Sequence, residues 1–420
     1  MKVSLNYGHD SMALDIPDEN YMGTLSPKDI KEIEDPINEV RRALAHPIGS
    51  KKLKELVSSK DKVIILASDV SRPSPSSILL PPILKELNEA GLSNDQITIV
   101  FGLGVHRKQT EEEKKRLVGV EVYNQVKCID HDIENCVKIG ITKRGNEVFV
   151  FKKILEADFI IATGNLEFHY FAGFSGGAKA IAPGVCSRNT IADNHKHFLD
   201  SGAKAGKIEG NPIREEIEEI GEMVGINFMV NAVLNSYKKV VRVVAGDVTK
   251  AHREGAEYIN NIFGVKIENL ADIVIASPGG YPKDIDLYQT HKAMENAMLA
   301  VKKGGIIIVA GECRDGLGEE SFAEALNGKL SPLELIEELK KNFILGRHKA
   351  SRIANINLNT EIYLVSNLTD EIKKNLFIKS FNSLEEAFSQ AIKVQGEKAK
   401  VLVIPYGGST LPVFKRLNLI

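Results

Sequence analysis

The stretch Lys62–Ala90, KVIILASDVSRPSPSSILLPPILKELNEA, decides the fold class. Its opening run, Lys62–Ala67, has the length and apolar character of a buried strand, and a Pro-rich polar turn follows it. Apolar residues then recur at helical spacing from Ile78 onward until Gly91 ends the pattern. A strand, a loop and a helix in that order form the repeating unit of α/β proteins with mostly parallel sheets.

The same unit recurs along the chain and restarts near residue 270, after a segment that is first helical and then polar. Capping boxes are predicted where Thr110 precedes Glu113 and where Ser331 precedes Glu334. The further predicted strands are Gln96–Phe101, Asp158–Thr163, Asp272–Ser277, Gly305–Ala310, Glu361–Val365 and Val401–Ile404, and a helix is predicted over Tyr288–Val301. We therefore expect two α/β lobes with mostly parallel sheets, residues 1–265 and 266–420, and an active site in the cleft between the lobes.

Composition excludes several classes of protein. The 420 residues are 43% hydrophobic and 26% charged, which is typical of a globular chain rather than a disordered one. A net charge of −2 gives no reason to expect a nucleic-acid or anionic-membrane partner, and we read neither a signal peptide nor a membrane span. Four cysteines without a CxxC pair predict no disulfide framework, which fits the cytoplasm. Composition leaves the oligomeric state open.

The densest motif is HYFAGFSGGAKAIAPG, His169–Gly184. Its glycines allow backbone N–H groups to converge on a phosphate, and Lys179 follows as a cation or a nucleophilic amine. The Walker pattern fails, because Ala178 occupies the position of its last glycine and Ala180 that of its Ser or Thr. A plain glycine-rich turn with a surface lysine is the alternative.

Other polar residues also follow predicted strands. His106 is either a catalytic group or the cap of the next helix, and His195 is either a single metal ligand or a structural histidine. Arg72 offers a planar fork for a carboxylate or phosphate, unless it pairs with Asp69. Gln289 and Lys292 share one face of a predicted helix, where they bind a ligand or face solvent.

Together these motifs resemble the nickel-dependent lactate racemase family of 2-hydroxyacid racemases and epimerases. The matching pieces are DVSRP (Asp69–Pro73), GVHR (Gly104–Arg107), HYFAGFSGGAK (His169–Lys179), PG (Pro183–Gly184), NH (Asn194–His195) and YQTHK (Tyr288–Lys292). The resemblance implies a nickel-pincer cofactor, a pyridinium-3-thioamide-5-thiocarboxylic acid mononucleotide. It also implies a small 2-hydroxyacid substrate, and maturation proteins that attach the cofactor.

The resemblance also implies roles for individual residues. Lys179 would hold the cofactor covalently, and His195 would complete the square-planar nickel set. His106 and His169 would be the acid/base pair, one for each enantiomer, while hydride passes between C2 and the cofactor. The other family positions are Asp69, Gly176 and Gly177 for the cofactor and Arg72, Ser175, Tyr288, Gln289 and Lys292 for the substrate.

Two other functions compete with this one. A nicotinamide-dependent 2-hydroxyacid dehydrogenase would also use an arginine for carboxylate and a histidine for hydroxyl, but it predicts a complete GxGxxG, and we find none. A non-enzymatic phosphate-binding module would need the glycine-rich loop, yet it would have no use for three histidines. The chain also has no tryptophan, which some family members place beside the substrate, so the exact hydroxyacid stays open.

Overall fold

The computed structural model describes residues 1–414 apart from 29, 236, 328–329, 342–343 and 345. The strands are β1 (Lys2–Tyr7), β2 (Asp10–Asp15), β3 (Tyr21–Thr24), β4 (Val63–Ser68), β5 (Ile97–Gly102), β6 (Lys127–Asp130), β7 (Cys136–Ile141), β8 (Glu147–Phe151), β9 (Phe159–Leu166), β10 (Phe168–His169), β11 (Gly173–Phe174), β12 (Phe228–Leu234), β13 (Val240–Gly246), β14 (Gly264–Ile267), β15 (Ala271–Ala276), β16 (Val301–Ala310), β17 (Glu361–Val365), β18 (Lys379–Phe381), β19 (Val401–Ile404) and β20 (Leu411–Phe414).

The helices are α1 (Pro36–Ala45), α2 (Leu53–Leu56), α3 (Ser76–Glu89), α4 (Glu111–Val118), α5 (Val120–Gln125), α6 (Arg188–His195), α7 (Pro212–Val224), α8 (Val248–Ile262), α9 (Leu287–Met298), α10 (Glu320–Leu326), α11 (Pro332–Lys341), α12 (Arg347–Asn359), α13 (Asp370–Asn375) and α14 (Leu384–Gln395). Short 3-10 turns occupy Asn94–Gln96, Lys152–Glu156, Gly177–Ala180 and Lys196–Leu199. Both predicted capping boxes are confirmed. Among the helices described, none is both long and apolar enough to cross a membrane.

The chain forms two compact units. The inserted unit is Asp29–Ile259, and the terminal unit combines Met1–Lys28 with Asn260–Ile420. The predicted division into residues 1–265 and 266–420 differs from this one at the N-terminus. The physical reason is pairing: β3 lies parallel to β19 as an edge strand, so the first residues join the sheet of the second half of the chain.

The inserted unit is built on a six-stranded sheet in the order β13-β12-β9-β4-β5-β6. Only β13 runs antiparallel to its neighbour; the other pairs are parallel. The apolar face of α3 covers the sheet with Leu79, Leu80, Ile83 and Leu87, all fully buried. Because β4, β5 and β9 are adjacent and parallel, the loops after them open at one edge of the sheet.

The terminal unit has a second six-stranded sheet, in the order β18-β17-β16-β15-β19-β3, and all of its pairs are parallel. Continuous apolar runs such as Ile306–Ile308 are buried because both faces of a parallel sheet are covered. α9 follows the loop after β15, so its first turn stands beyond a carboxyl end of this sheet. The prediction of α/β units with mostly parallel sheets is confirmed.

Candidate active site

Asp69 and His106 form a hydrogen-bonded pair at the carboxyl ends of β4 and β5. The His106 Nδ1 lies 2.5 Å from Asp69 Oδ2, while Asp69 Oδ1 accepts from the Ser71 backbone N–H at 2.9 Å. Burial alone would raise the pKa of Asp69, but the hydrogen bonds from His106 and Ser71 lower it. The ionised carboxylate therefore holds a proton on His106 Nδ1 and leaves the Nε2 lone pair available to accept one.

This hydrogen bond decides between the alternatives that the sequence left open for Asp69 and for His106. Asp69 pairs with His106 rather than with Arg72, and the helix after His106 is capped by Thr110 rather than by the histidine. Asp69 is also predicted to contact the cofactor; in the structure its carboxylate hydrogen-bonds the His106 imidazole. The side chain of His106 is 38% exposed, which keeps its ring within reach of a ligand.

His169 lies on the small antiparallel ribbon of β10 and β11, where it pairs with Gly173. The backbone N–H of Ala172 donates to His169 Nδ1 at 3.2 Å, so the neutral ring carries its proton on Nε2. Burial, helped by the charges of Lys179 and Arg72, holds the pKa of His169 well below its usual range. His169 is therefore neutral near pH 7. Its Nε2 presents a hydrogen-bond donor, whereas the Nε2 of His106 presents an acceptor.

The ring of Phe171 stands at the centre of three predicted site residues. Its centroid lies 4.5 Å from that of His169 and 5.0 Å from that of His195, and Lys179 Nζ lies 5.9 Å from it. These side chains come from β10, the end of α6 and the 3-10 turn at Gly177–Ala180. The fold thus gathers one amine and two imidazoles that lie up to 26 residues apart along the chain (195 − 169).

The setting of Lys179 favours the neutral form of its amine more than an exposed site would. Burial, together with the positive charges of Arg72 and Arg214, holds the pKa of Lys179 well below its usual range. A neutral amine has the lone pair that acylation requires, which an ammonium lacks. The surface-lysine alternative therefore does not describe this side chain.

The loop that carries His106 is joined to the segment after Lys179. The Gly104 N–H donates to the Gly184 carbonyl oxygen at 2.9 Å, and a Cβ on Gly102 would lie 3.1 Å from Gly184 Cα. The PG element of the motif therefore lets two loops approach closely. His106 and Lys179 are thereby held on neighbouring backbone segments.

The last three predicted residues, Tyr288, Gln289 and Lys292, lie in the first turns of α9, in the terminal unit. Asp286 caps this helix by accepting from the Gln289 backbone N–H at 2.6 Å. Lys292 Nζ donates to Gln289 Oε1 at 2.8 Å, which confirms that the two share a helix face. Tyr288 is half-buried, and its ring meets that of Phe322 edge-on at 5.3 Å.

Comparison with known proteins identifies the group to which this architecture belongs. Residues 7–206 match the profile of the lactate racemase N-terminal domain, and residues 266–411 match that of the lactate racemase C-terminal domain. The chain is 34% identical to the lactate racemase of Thermoanaerobacterium thermosaccharolyticum, with 97% of this chain and 98% of that protein covered. The chain belongs to the lactate racemase family. It is an enzyme of the isomerase class, a racemase, as the resemblance predicted.

Further comparisons agree with membership of the lactate racemase family. The lactate racemase of Lactiplantibacillus plantarum is 33% identical, with 96% of this chain and 98% of that protein covered. The solved lactate racemase apoprotein from T. thermosaccharolyticum superposes with a TM-score of 0.86 at 33% identity, covering 99% of this chain and all of that one. A crystal structure from Thermotoga maritima, at 19% identity and a TM-score of 0.63 over 92% of this chain and all of that one, shares the fold.

The glycines of this racemase loop are explained by contacts within the protein. Gly177 donates its backbone N–H to Asn231 Oδ1 at 2.8 Å, so that amide is not available to the phosphate cradle that the sequence suggested. A Cβ on Gly176, where φ is +74°, would lie 2.5 Å from the same Asn231 oxygen. Ser175 was expected near the substrate, but its Oγ accepts from the Glu167 N–H and donates to the Asn165 carbonyl, both at 2.9 Å.

Two residues that support this loop were not predicted. Arg214, 1% exposed on α7, reaches the carbonyl oxygens of Phe174 and Gly176 at 3.5 Å and contacts His252. His252 Nε2 also lies 2.9 Å from the Ser175 carbonyl oxygen. The signal that could have identified Arg214 was an arginine within an amphipathic helix, because a buried charge needs partners to be tolerated.

Gly176→Ala is expected to destabilise the inserted unit by about 2–5 kcal/mol, because left-handed strain adds to the overlap with Asn231. Gly145→Ala is the matched control: its φ is +85°, but nothing lies within 4 Å of its Cβ position. That control should cost only about 1–2 kcal/mol. Urea unfolding measures both; equal losses would show that the contact with Asn231 does not matter.

Proposed function

We propose that the enzyme interconverts the enantiomers of lactate by hydride transfer at C2, using a nickel-pincer nucleotide attached to Lys179. The observation that carries the proposal is the placement of Lys179, His169 and His195 around the Phe171 ring. It is supported by the lactate racemases of similar sequence, which match nearly the whole chain. The alternative substrates are other 2-hydroxyacids.

The residues present fit the chemistry of that cofactor. The described residues include no group of three His, Cys, Asp or Glu side chains that could hold a metal by themselves. A cofactor that brings two sulfurs and a ring carbon as ligands would need only one protein donor for four-coordinate nickel, and the imidazole of His195 is a suitable nickel ligand. Lys179 offers its amine for the covalent link, and burial lowers the pKa of that amine. When bound, the cofactor supplies the acceptor and donor of hydride.

The two catalytic histidines divide the proton transfers. His106 Nε2 takes the hydroxyl proton of one enantiomer, and the ionised Asp69 stabilises the imidazolium that results. His169 serves the other enantiomer: as the imidazolium it gives a proton to the carbonyl oxygen of the 2-oxoacid, and as the neutral ring it takes the hydroxyl proton in the reverse direction. A planar 2-oxoacid can then receive hydride on either face, and one histidine for each face returns the proton.

Charged and polar groups orient the substrate in this proposal. Arg72 and Lys292 supply positive charge for the carboxylate, Gln289 supplies a hydrogen bond, and Tyr288 lines the substrate. Ser175, Gly176 and Gly177 shape the loop that places Lys179, in keeping with their contacts inside the protein. Asp69 acts on the substrate through His106 and is a positioning residue.

Attachment of the cofactor after translation requires partner proteins that mature the enzyme. We propose that maturation and catalysis both take place in the cytoplasm. The four cysteines are free thiols, two of them buried, and burial raises the pKa of Cys186 above its usual range. Thiols of this kind fit a reducing compartment.

The test is polarimetry of matured enzyme with a single enantiomer of lactate and no nicotinamide cofactor. The optical rotation should decay to zero, while apoprotein from cells without the maturation proteins should leave it unchanged. A rotation that changes only when a nicotinamide cofactor is added would favour the dehydrogenase alternative. No change with fully loaded enzyme would contradict lactate as the substrate.

A further inference from the structure

Lys349 is a buried lysine that the sequence analysis did not single out. It lies in the first turn of α12 and is only 8% exposed. Its Nζ sits 3.2 Å from the centroid of the Tyr288 ring, on α9. No hydrogen bond or ion pair joins this Nζ to any residue that the structure describes, so the aromatic face is its principal contact there.

The position of Lys349 over Tyr288 is fixed by an ion pair between the same two helices. Arg352 Nε donates to Glu295 Oε1 at 2.8 Å, and both side chains are at least 95% buried. Lys349 and Arg352 are three residues apart on α12, while Tyr288, Lys292 and Glu295 follow each other on one face of α9. The two helices are therefore held with their lysines towards the same region.

The three acidic residues closest to Lys349 are engaged elsewhere. Asp286 accepts from the Gln289 backbone N–H and caps α9, and Glu319 accepts from the Phe322 backbone N–H at 2.8 Å and caps α10. Glu295 is paired with Arg352. Lys349 is thus a buried amine whose acidic neighbours already hydrogen-bond to other groups.

The remaining titratable neighbours add no negative charge near pH 7. Burial, together with Lys349 itself, holds the pKa of His291 well below its usual range, and burial lowers the pKa of His348 to about 3, so both rings are neutral. Burial raises the pKa of Tyr288, which keeps its phenol protonated. Lys292 is a second positive charge that acts on Lys349. None of these neighbours forms a hydrogen bond or ion pair with the Lys349 amine in the described part of the chain.

We propose that Lys349 and Lys292 form a two-lysine site that binds the carboxylate of the substrate, with the Tyr288 ring holding Lys349 in place. This inference rests on the proposed function only for the identity of the anion. An incoming carboxylate beside the amine would favour its protonated form. Burial, with the charge of Lys292, lowers the pKa of Lys349 to about 7, so binding near neutral pH should take up a proton.

The test is calorimetry of holoenzyme with racemic lactate, which has no net turnover, in two buffers of different ionisation enthalpy at pH 7.5. Wild type should take up about half a proton or more per lactate, because a pKa of about 7 leaves most Lys349 amines neutral at that pH. Lys349→Met should abolish this uptake and weaken binding by about 10-fold or more. KM should rise with it, while kcat changes little.

Two variants separate binding from folding. Lys349→Arg keeps the charge but cannot titrate, so it should bind lactate without proton uptake. Lys340→Met removes an exposed lysine of α11 and should behave as wild type. Unchanged affinity and uptake in Lys349→Met would overturn the inference.

Acetate serves as a second probe, because a carboxylate site binds it whether or not lactate is the natural substrate. Proton uptake with acetate that depends on Lys349 would support the site even if racemisation of lactate failed. Racemisation of lactate by wild type, without Lys349-dependent uptake for either carboxylate, would support the proposed function and reject this site.

Discussion

Lys179→Ala is expected to eliminate both cofactor retention and racemase activity, the largest effect of any single substitution in this chain. The amine is the only side-chain group proposed to link the protein covalently to the cofactor, and its lowered pKa favours the neutral form that acylation requires. Intact-mass measurement of protein co-expressed with its maturation enzymes should show the cofactor adduct in wild type. The variant should show the bare polypeptide mass and background racemisation.

Two variants control for this experiment. Lys204→Ala removes an exposed lysine beyond α6 and should retain both the adduct and activity. Lys179→Arg keeps a positive charge but offers no acylatable amine under these conditions, so it should fail as Lys179→Ala does. An adduct of unchanged mass on Lys179→Ala would place the cofactor on another residue.

His106→Ala and His169→Ala should each lower kcat for lactate by about 100-fold or more, because each removes the proton acceptor or donor for one face. Neither should release the cofactor, since neither residue is proposed to hold it. Intact mass and racemisation rates from each pure enantiomer measure the two properties. Full activity in both variants would reject the two-histidine scheme.

Asp69→Asn tests the same scheme through the residue that hydrogen-bonds the His106 imidazole. An amide can donate to His106 Nδ1 and so favour the ring tautomer in which Nε2 is already protonated. The rate should fall by about 100-fold with the fold intact. His197→Ala is the matched control, because His197 has its own acidic partner, Asp200, at 3.1 Å, and has no proposed role.

The central strands were predictable because a strand covered on both faces must be apolar throughout. The predicted runs at Glu361–Val365 and Val401–Ile404 have the observed bounds of β17 and β19, and Lys62–Ala67 differs from β4 by one residue at each end. β3 was not predictable in this way. Its four residues alternate between intermediate and exposed, and its partner strand lies about 380 residues away.

The candidate site was predictable in its residue types but not in its pairings. Asp69 and His106 are 37 residues apart, and only the adjacency of β4 and β5 brings them together. The glycine motif was correctly singled out, yet Asn231, which takes the Gly177 amide, comes from a strand 54 residues further on. Lys349 had no sequence signal, because its burial depends on how α12 packs against α9.

The edge position of β3 has a consequence for biosynthesis. Synthesis from the N-terminus delivers Tyr21–Thr24 long before the strand that receives it, Val401–Ile404. The nascent N-terminal segment must therefore wait, unpaired, while Asp29–Ile259 is made and can fold. A fragment that ends at residue 265 would contain β3 without β19, the strand with which it pairs. Cuts at residues 29 and 259 would instead follow the boundaries between the two units.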